Sequence, residues 1–197
     1  MQKDFHYNII YSIAKMTGFQ DANTIAYSSQ YVDDNNRKQY FKDGKEAMFP
    51  RKIRINGGHF YPIMTQTIST KSLDIMVQKY VYIPFHFLPG DETVKIDGKI
   101  NAFSTTPNSE NAKILLGNAL KSENPCLIGI ALHTFADTWS HQNFTGFQEE
   151  WNSVYPEYNI FKRLVPNIGH AEAGHSPDVI SEIWTDHRLG EQIDNIR

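Results

Sequence analysis

His133, Asp137 and His141 follow one another at a spacing of four in the stretch Leu132-His133-Thr134-Phe135-Ala136-Asp137-Thr138-Trp139-Ser140-His141. Imidazole and carboxylate are the usual non-thiol zinc ligands, at about 2.0–2.2 Å from the ion. If the stretch is helical, residues four apart share a face and stand about 6 Å apart along the axis. Three metal-type ligands then line one side of a helix; a hydrogen-bonded polar stripe is the alternative. A zinc centre draws three or four ligands from more than one element, and the chain offers further ones. Asp4 and His6 lie two apart near the start, and His170, His175 and Asp178 form a second cluster among Gly169, Gly174 and Pro177. Asp33 and Asp34 fall at the end of a helical pattern, where carboxylates oppose the helix dipole and a bound cation would compensate. Two solvated aspartates in a turn are the other reading.

The elements that must position these residues are mainly helical. Asn124 can cap and Pro125 can open the helix that carries the stripe. Phe5, Ile9, Ile10, Ile13 and Met16 recur at a helical period, and Gly18 stops it. Asp21 can cap a second helix to about Val32, and Ser109 a further one to about Lys121. Residues 52–60 suggest a short strand, and Asp97-Gly98 between alternating residues suggests a small hairpin. Residues 72–83 are ambiguous between helix and strand, and 84–90 read as a rigid loop. Residues 148–155 suggest a short helix. Ile180, Ile183, Trp184 and Leu189 predict a final helix over 179–196. The expected architecture is a mainly α, single-domain helical bundle over 1–197, with a small β-hairpin excursion around residues 50–105. The last helical pattern runs to Arg197, which leaves open whether further sequence follows it.

A length of 197 residues with 40% hydrophobic content is enough for one sizeable core. The net charge of -3 and the lack of a basic block give no support for nucleic acid or anionic surfaces as partners. One cysteine, Cys126, excludes an internal disulfide and any thiolate-rich zinc site, and its apolar neighbours predict a buried thiol. Trp139, Trp151 and Trp184 are expected in the core. No window is apolar for the roughly 18 residues a membrane helix needs. With no secretory signal at the start, a cytoplasmic location is the default expectation.

The order of these residues resembles the superfamily of zinc-dependent bacterial phospholipases C and fungal single-strand nucleases. Ser29-Gln30-Tyr31-Val32-Asp33 is similar to a family segment that ends in a ligand Asp. Phe85-His86-Phe87 resembles an aromatic-flanked ligand His. His133-x3-Asp137 resembles the central pair whose Asp bridges two metals, and His141-Gln142-Asn143-Phe144-Thr145 resembles the downstream ligand His. A closer likeness is to a group of bacterial proteins with Asp-Phe-His-Tyr near the start and Gly-His-Ala-Glu-x-Gly-His-x-Pro-Asp near the end. The resemblance implies a helical fold holding two or three zinc ions in a cleft. It implies hydrolysis of phosphodiester bonds, lipid or small-molecule, by metal-activated water, with Asp137 and Asp33 at the catalytic centre.

On that reading His6, Asp4 and Asp137 hold one ion, and Asp33, His86, His133 and Asp137 a second. His141 and His170, with either His175 or Asp178, hold a third. The chain departs from the family in three places. Met1-Gln2-Lys3 stands where those enzymes use a terminal Trp, so Asp4 is expected to substitute. Asp137 to His141 is a shorter step than theirs, and Gly174 occupies the place of an acidic partner four after His170. His59 competes with His86, whose flanking aromatics match better. Asp34 and Glu172 are either orienters of ligand histidines or surface acids. No serine-hydrolase elbow or phosphate-binding loop is present, nor is a His-Asp dipeptide of the two-metal phosphohydrolases. A non-catalytic, metal-stabilised binding domain is the second class of reading.

Overall fold

The computed structural model describes residues 2–36, 53–55, 58–60, 64–90, 95–155 and 165–196. The turn expected at 40–45 and the imidazole of His59 lie outside the described residues. The fold is mainly α with a small β-hairpin within residues 50–105, as the sequence patterning predicts. A π-helical segment, Asp4–Ile9, runs into α1 (Ile10–Met16), and α2 spans Ala22–Asp34. Strands β1 (Ile53–Ile55) and β2 (Gly58–Phe60) form an antiparallel hairpin, with Arg54 opposite His59. A helical run follows, built from a 3-10 turn (Thr70–Leu73), α3 (Ile75–Val77), a π-helical piece (Gln78–Tyr82) and α4 (Ile83–Phe85). Helices α5 (Glu110–Lys121) and α6 (Pro125–Ser140) complete the bundle.

The helix starts are chemically specified. Ser109 Oγ accepts from the Ala112 amide, and Asn124 Oδ1 accepts from Cys126 and Leu127, with Pro125 at the first helical position. Asp21 stands at the N-cap of α2 but makes no side-chain cap bond. At the 96–99 bridge, Asp97 and Gly98 both adopt positive φ (49° and 75°), the conformation a two-residue hairpin requires.

Helix α6 packs on α2 through small residues. Ala22, Ile25, Ala26, Ser29 and Val32 line the buried face of α2 at a helical period. A Cβ on Gly129 would lie 2.2 Å from the Ile25 carbonyl oxygen and 2.7 Å from Ser28 Cβ, so glycine there lets the two backbones nearly touch. Ile10, Ile25, Ile128 and Ala131 form one apolar cluster with these helices. A second cluster, with Met64, Val77, Val81, Phe87, Phe144 and Val154, gathers the 64–90 run and the chain after α6. Each fully buried Val or Ile contributes about 1.5–3 kcal/mol to these clusters.

Four expectations need correcting. Residues 179–196 form an antiparallel hairpin, β3 (Ile183–Asp186) with β4 (Glu191–Asp194), in place of a helix. Its turn carries Gly190 at φ 65° and a buried Asp186–Arg188 ion pair at 2.6 Å. The guanidinium donates to the Asn143 and Trp151 carbonyls at 2.9 and 2.8 Å, which fastens the hairpin to the segment after α6. His86 does not sit in a free loop: it ends α4, its amide donating to the Tyr82 carbonyl at 2.8 Å. Cys126 is exposed, because the first turn of α6 turns it to solvent. Trp139 is 37% exposed and Trp151 and Trp184 are half-buried, so none is a fully buried core residue. Among the described residues no helix is long and apolar enough to cross a membrane.

Candidate metal centre

His133 and Asp137 project from one face of α6 and are fully buried. Around them the fold gathers ligands from several other elements. His6 comes from the π-helical first segment, Asp33 from the last turn of α2, and His86 from the end of α4. His141 caps α6, and His170 with Asp178 comes from the two 3-10 turns at Ala171–Ala173 and Ser176–Asp178. Among the described residues, three groups have ligand atoms mutually within 4.8 Å: His6–His133–Asp137, Asp33–His86–His133, and His141–His170–Asp178.

Asp137 stands between the first two groups. Its Oδ1 lies 3.1 Å from His6 Nε2, and its Oδ2 lies 3.1 Å from His86 Nδ1 and 3.2 Å from His133 Nε2. Asp33 completes the second group, with Oδ1 3.7 Å from His133 Nε2 and 3.9 Å from His86 Nδ1. His86 Nδ1 and His133 Nε2 face each other at 3.2 Å. A tetrahedral ion with bonds of about 2.0–2.1 Å has ligand–ligand edges of about 3.3–3.4 Å. Several of these separations fall close to that edge length.

The chain's own carbonyls fix which ring nitrogens can bind. A carbonyl only accepts, so His86 Nε2 must carry the proton it donates to Thr65 O at 2.8 Å. His141 Nδ1 likewise donates to His86 O at 2.7 Å, and His170 Nδ1 to Gly174 O at 2.9 Å. In the neutral rings, lone pairs are therefore left on His86 Nδ1, His141 Nε2 and His170 Nε2, which all face the carboxylates. Back-side hydrogen bonds of this kind are the usual support of metal-binding histidines. The donor set, three carboxylates and five imidazoles without thiolate, fits zinc and other borderline divalent ions. No basic residue stands in the last turn of α2 beside Asp33 and Asp34, so a cation there would offset their opposition to the helix dipole.

The His141–His170–Asp178 group adjoins the others through the His86 carbonyl, which accepts from His141 Nδ1. His141 caps the helix at φ -98° and ψ 17°, with its Nδ1 3.6 Å from Asp137 Oδ2. It stacks on Phe87 at 4.6 Å, and its Nε2 meets Asp178 Oδ1 at 3.1 Å. His170 Nε2 is 3.4 Å from Asp178 Oδ2. Gly169, at φ 52°, passes so close to Phe87 that a Cβ would lie 2.2 Å from its ring.

Of the expected ligands, His6, Asp33, His86, His133, Asp137, His141, His170 and Asp178 are brought together. Asp4 is not: it is exposed, and its Oδ1 accepts from the Phe5 amide, as a carboxylate in a first helical turn does. His175 is also exposed and outside the three groups, which leaves Asp178 as the partner of His170. Glu172 is 7% exposed and accepts from Ser153 Oγ and the Val154 amide, tying the His170 turn to the core. Gln30 Nε2 donates to Asp34 Oδ1 at 3.2 Å. Thr65 has no signal in the sequence, being one hydroxyl among many.

Charge and burial set the protonation of the cluster. Burial lowers His6, His133 and His170 from the usual 6.5 to about 4 each. Burial also opposes charge on His86, but Asp137 and Asp33 outweigh it and raise its pKa. For Asp137 burial favours the neutral acid, yet His141 and His133 hold it well below the ordinary carboxylate range. His170 and His141 do the same for Asp178. The three depressed histidines bind protons more readily in the unfolded chain, so stability rises with pH across their window. Metal-free protein should accordingly lose thermal stability as pH falls from about 6.5 to about 4. His86 works the other way, contributing below 6.5 and fading as pH rises through its folded pKa. A flat Tm between neutral pH and 4.5, read by circular dichroism, would contradict the buried neutral imidazoles.

The full chain, residues 1–197, matches the model of a family described as "Family of unknown function (DUF6765)". No curated protein and no solved structure matches it. The chain belongs to the DUF6765 family.

Proposed function

We propose, for this member of the DUF6765 family, a zinc-dependent hydrolase of phosphodiester bonds carried by lipids or small molecules. The observation that carries the reading is the coincidence of the ligand cluster with a cavity of about 610 Å³, lined by Asp33, His86, His141, His170 and Asp178. A purely structural site has no need of ligands on a cavity wall. The fully buried group His6–His133–Asp137 fits a structural ion, whereas Asp33, whose side chain is 24% exposed, faces accessible space.

Zinc held there supplies an acidified water and positive charge for a phosphate, without a side-chain nucleophile. Among the described residues lining the cavity there is no Lys or Arg, so protein side chains alone offer an anionic substrate little. The chain's own part is to hold and orient. Asp137 presents one oxygen to each of two ligand groups. The Thr65, His86 and Gly174 carbonyls hold the proton of the neutral His86, His141 and His170 rings on the outward nitrogen, which leaves the inward lone pair for an ion. Ile68, Leu73, Phe87, Val165, Pro166 and Ile168 give the wall a largely apolar stretch, beside the polar Gln66, Thr67, Ser69, Thr70 and Ser72. That lining suits a substrate with an apolar portion and excludes water from the reacting end. Together with the net charge of -3, it disfavours a polynucleotide, whose backbone seeks a basic groove.

The test is metal analysis of protein purified without added metal, joined to a panel of bis(p-nitrophenyl) phosphate, phosphatidylcholine micelles and single-stranded DNA. Two to three zinc ions per chain are expected, with turnover of the first two substrates that a chelator abolishes and Zn2+ restores. A protein that binds zinc but cleaves no member of the panel would favour the metal-stabilised binding domain. One that binds no divalent ion would end both readings.

A further inference from the structure

We propose that Thr65 is a positioning residue of the metal centre, its hydroxyl holding a carbonyl that sets His86 and the helix end that carries Asp33. The inference rests on the metal-binding reading of the cluster. Thr65 is 7% exposed and contributes no ligand atom. Its hydroxyl donates to the Val32 carbonyl at 2.7 Å, and its amide donates to the Asn35 carbonyl at 3.1 Å. These two acceptors bracket Asp33 and belong to the C-terminal end of α2, where helix carbonyls lack intrahelical donors. The Thr65 carbonyl accepts from His86 Nε2 at 2.8 Å.

Two residues on, the Thr67 carbonyl accepts from the Tyr82 hydroxyl, and the Tyr82 carbonyl in turn receives the amides of His86 and Phe87 at 2.8 and 2.9 Å. The segment 64–67 is thus stitched to both ligand-bearing helix ends, and Thr65 is the residue bonded to each.

The chemical consequence lies in the tautomer of His86. While the Thr65 carbonyl holds the Nε2 proton, the Nδ1 lone pair faces Asp137, His133 and Asp33. If the carbonyl moves, the ring can place its proton on Nδ1, where it competes with a cation. Thr65→Val retains shape and both backbone groups but removes the hydroxyl, whereas Thr65→Ser retains it. Full-length protein stripped of metal is titrated with Zn2+, and with Co2+ as a spectroscopic probe.

In Thr65→Val, affinity at Asp33–His86–His133 should fall about 10–100-fold, the effect of losing support behind a ligand histidine. The His141–His170–Asp178 group should bind as in the wild type, and Thr65→Ser should restore the loss. Nitrogen NMR of metal-free protein at alkaline pH should find His86 with its proton on Nε2 in the wild type and in Thr65→Ser, and a mixture in Thr65→Val.

Unchanged affinity and tautomer in Thr65→Val would overturn the proposal. So would equal weakening of every ion alongside a lower Tm that Thr65→Ser fails to restore, which is the mark of a general structural role. If Thr65→Val does not fold, the wild-type spectrum still decides, because a proton on Nδ1 of His86 rules the device out. A wild-type chain that takes up no metal would instead end the proposed function, while the tautomer measurement still reads Thr65 itself.

Discussion

Asparagine in place of Asp137 should strip the protein of two of its three ligand groups at once. The carboxylate is fully buried, with one oxygen 3.1 Å from His6 and the other 3.1–3.2 Å from His86 and His133. An amide keeps the volume but offers a single neutral oxygen, and its NH2 would point at a ring nitrogen or at the ion. Metal content should drop to the ion held by His141, His170 and Asp178. Turnover of a phosphodiester should fall about a thousandfold or more, since metal charge stabilisation supplies several kcal/mol. The variant should keep its helical circular-dichroism spectrum, which separates a lost site from a lost fold. Full zinc content in Asp137→Asn would remove the bridge from the description of the centre.

Gly129→Ala has the next largest expected effect, and through packing alone. Alanine is the better helix former by about 1 kcal/mol in an open helix. Here its Cβ meets the Ile25 carbonyl oxygen at 2.2 Å and the Ser29 amide at 3.0 Å, both backbone atoms that cannot rotate aside. Helices α2 and α6 must separate, at an overpacking cost of about 1–3 kcal/mol or more. Since α2 carries Asp33 and α6 carries His133, separation should weaken Asp33–His86–His133, the group they share, and spare His141–His170–Asp178. Chemical denaturation and zinc titration of the same variant check both halves. A variant as stable as the parent would mean the two backbones are not in contact at Gly129.

Much of the site was readable because a helix converts spacing into direction. His133 and Asp137, four apart, needed only a helix to share a face, and Asn124-Pro125 marked its start. Asp33 was visible as a carboxylate at the wrong end of a helix. Asp4 was over-read: a carboxylate two residues from a ligand is not on the ligand's side of a π-helical turn. The choice between His175 and Asp178 depended on where two 3-10 turns pointed, which spacing does not encode. The C-terminal hairpin was misread because Ile180, Ile183, Trp184 and Leu189 imitate a helical period. What decides its structure is Arg188, paired with Asp186 and bonded to carbonyls more than 30 residues earlier. Cys126 showed the converse limit, since an apolar run does not say which residue of its first turn meets water.

The pairing of His6 with Asp137 spans 131 residues. Asp178 adds a further reach, through His141, to the last quarter of the chain. A growing polypeptide therefore cannot assemble the centre until nearly all of it has been synthesised, and early helices must wait with their imidazoles uncommitted. Closing so long a loop costs only slightly more entropy than closing a short one, but the search for it is slow. An ion that ties both ends would act as a clasp on the finished fold. If the clasp forms after the rate-limiting step, its removal should speed unfolding far more than it slows refolding.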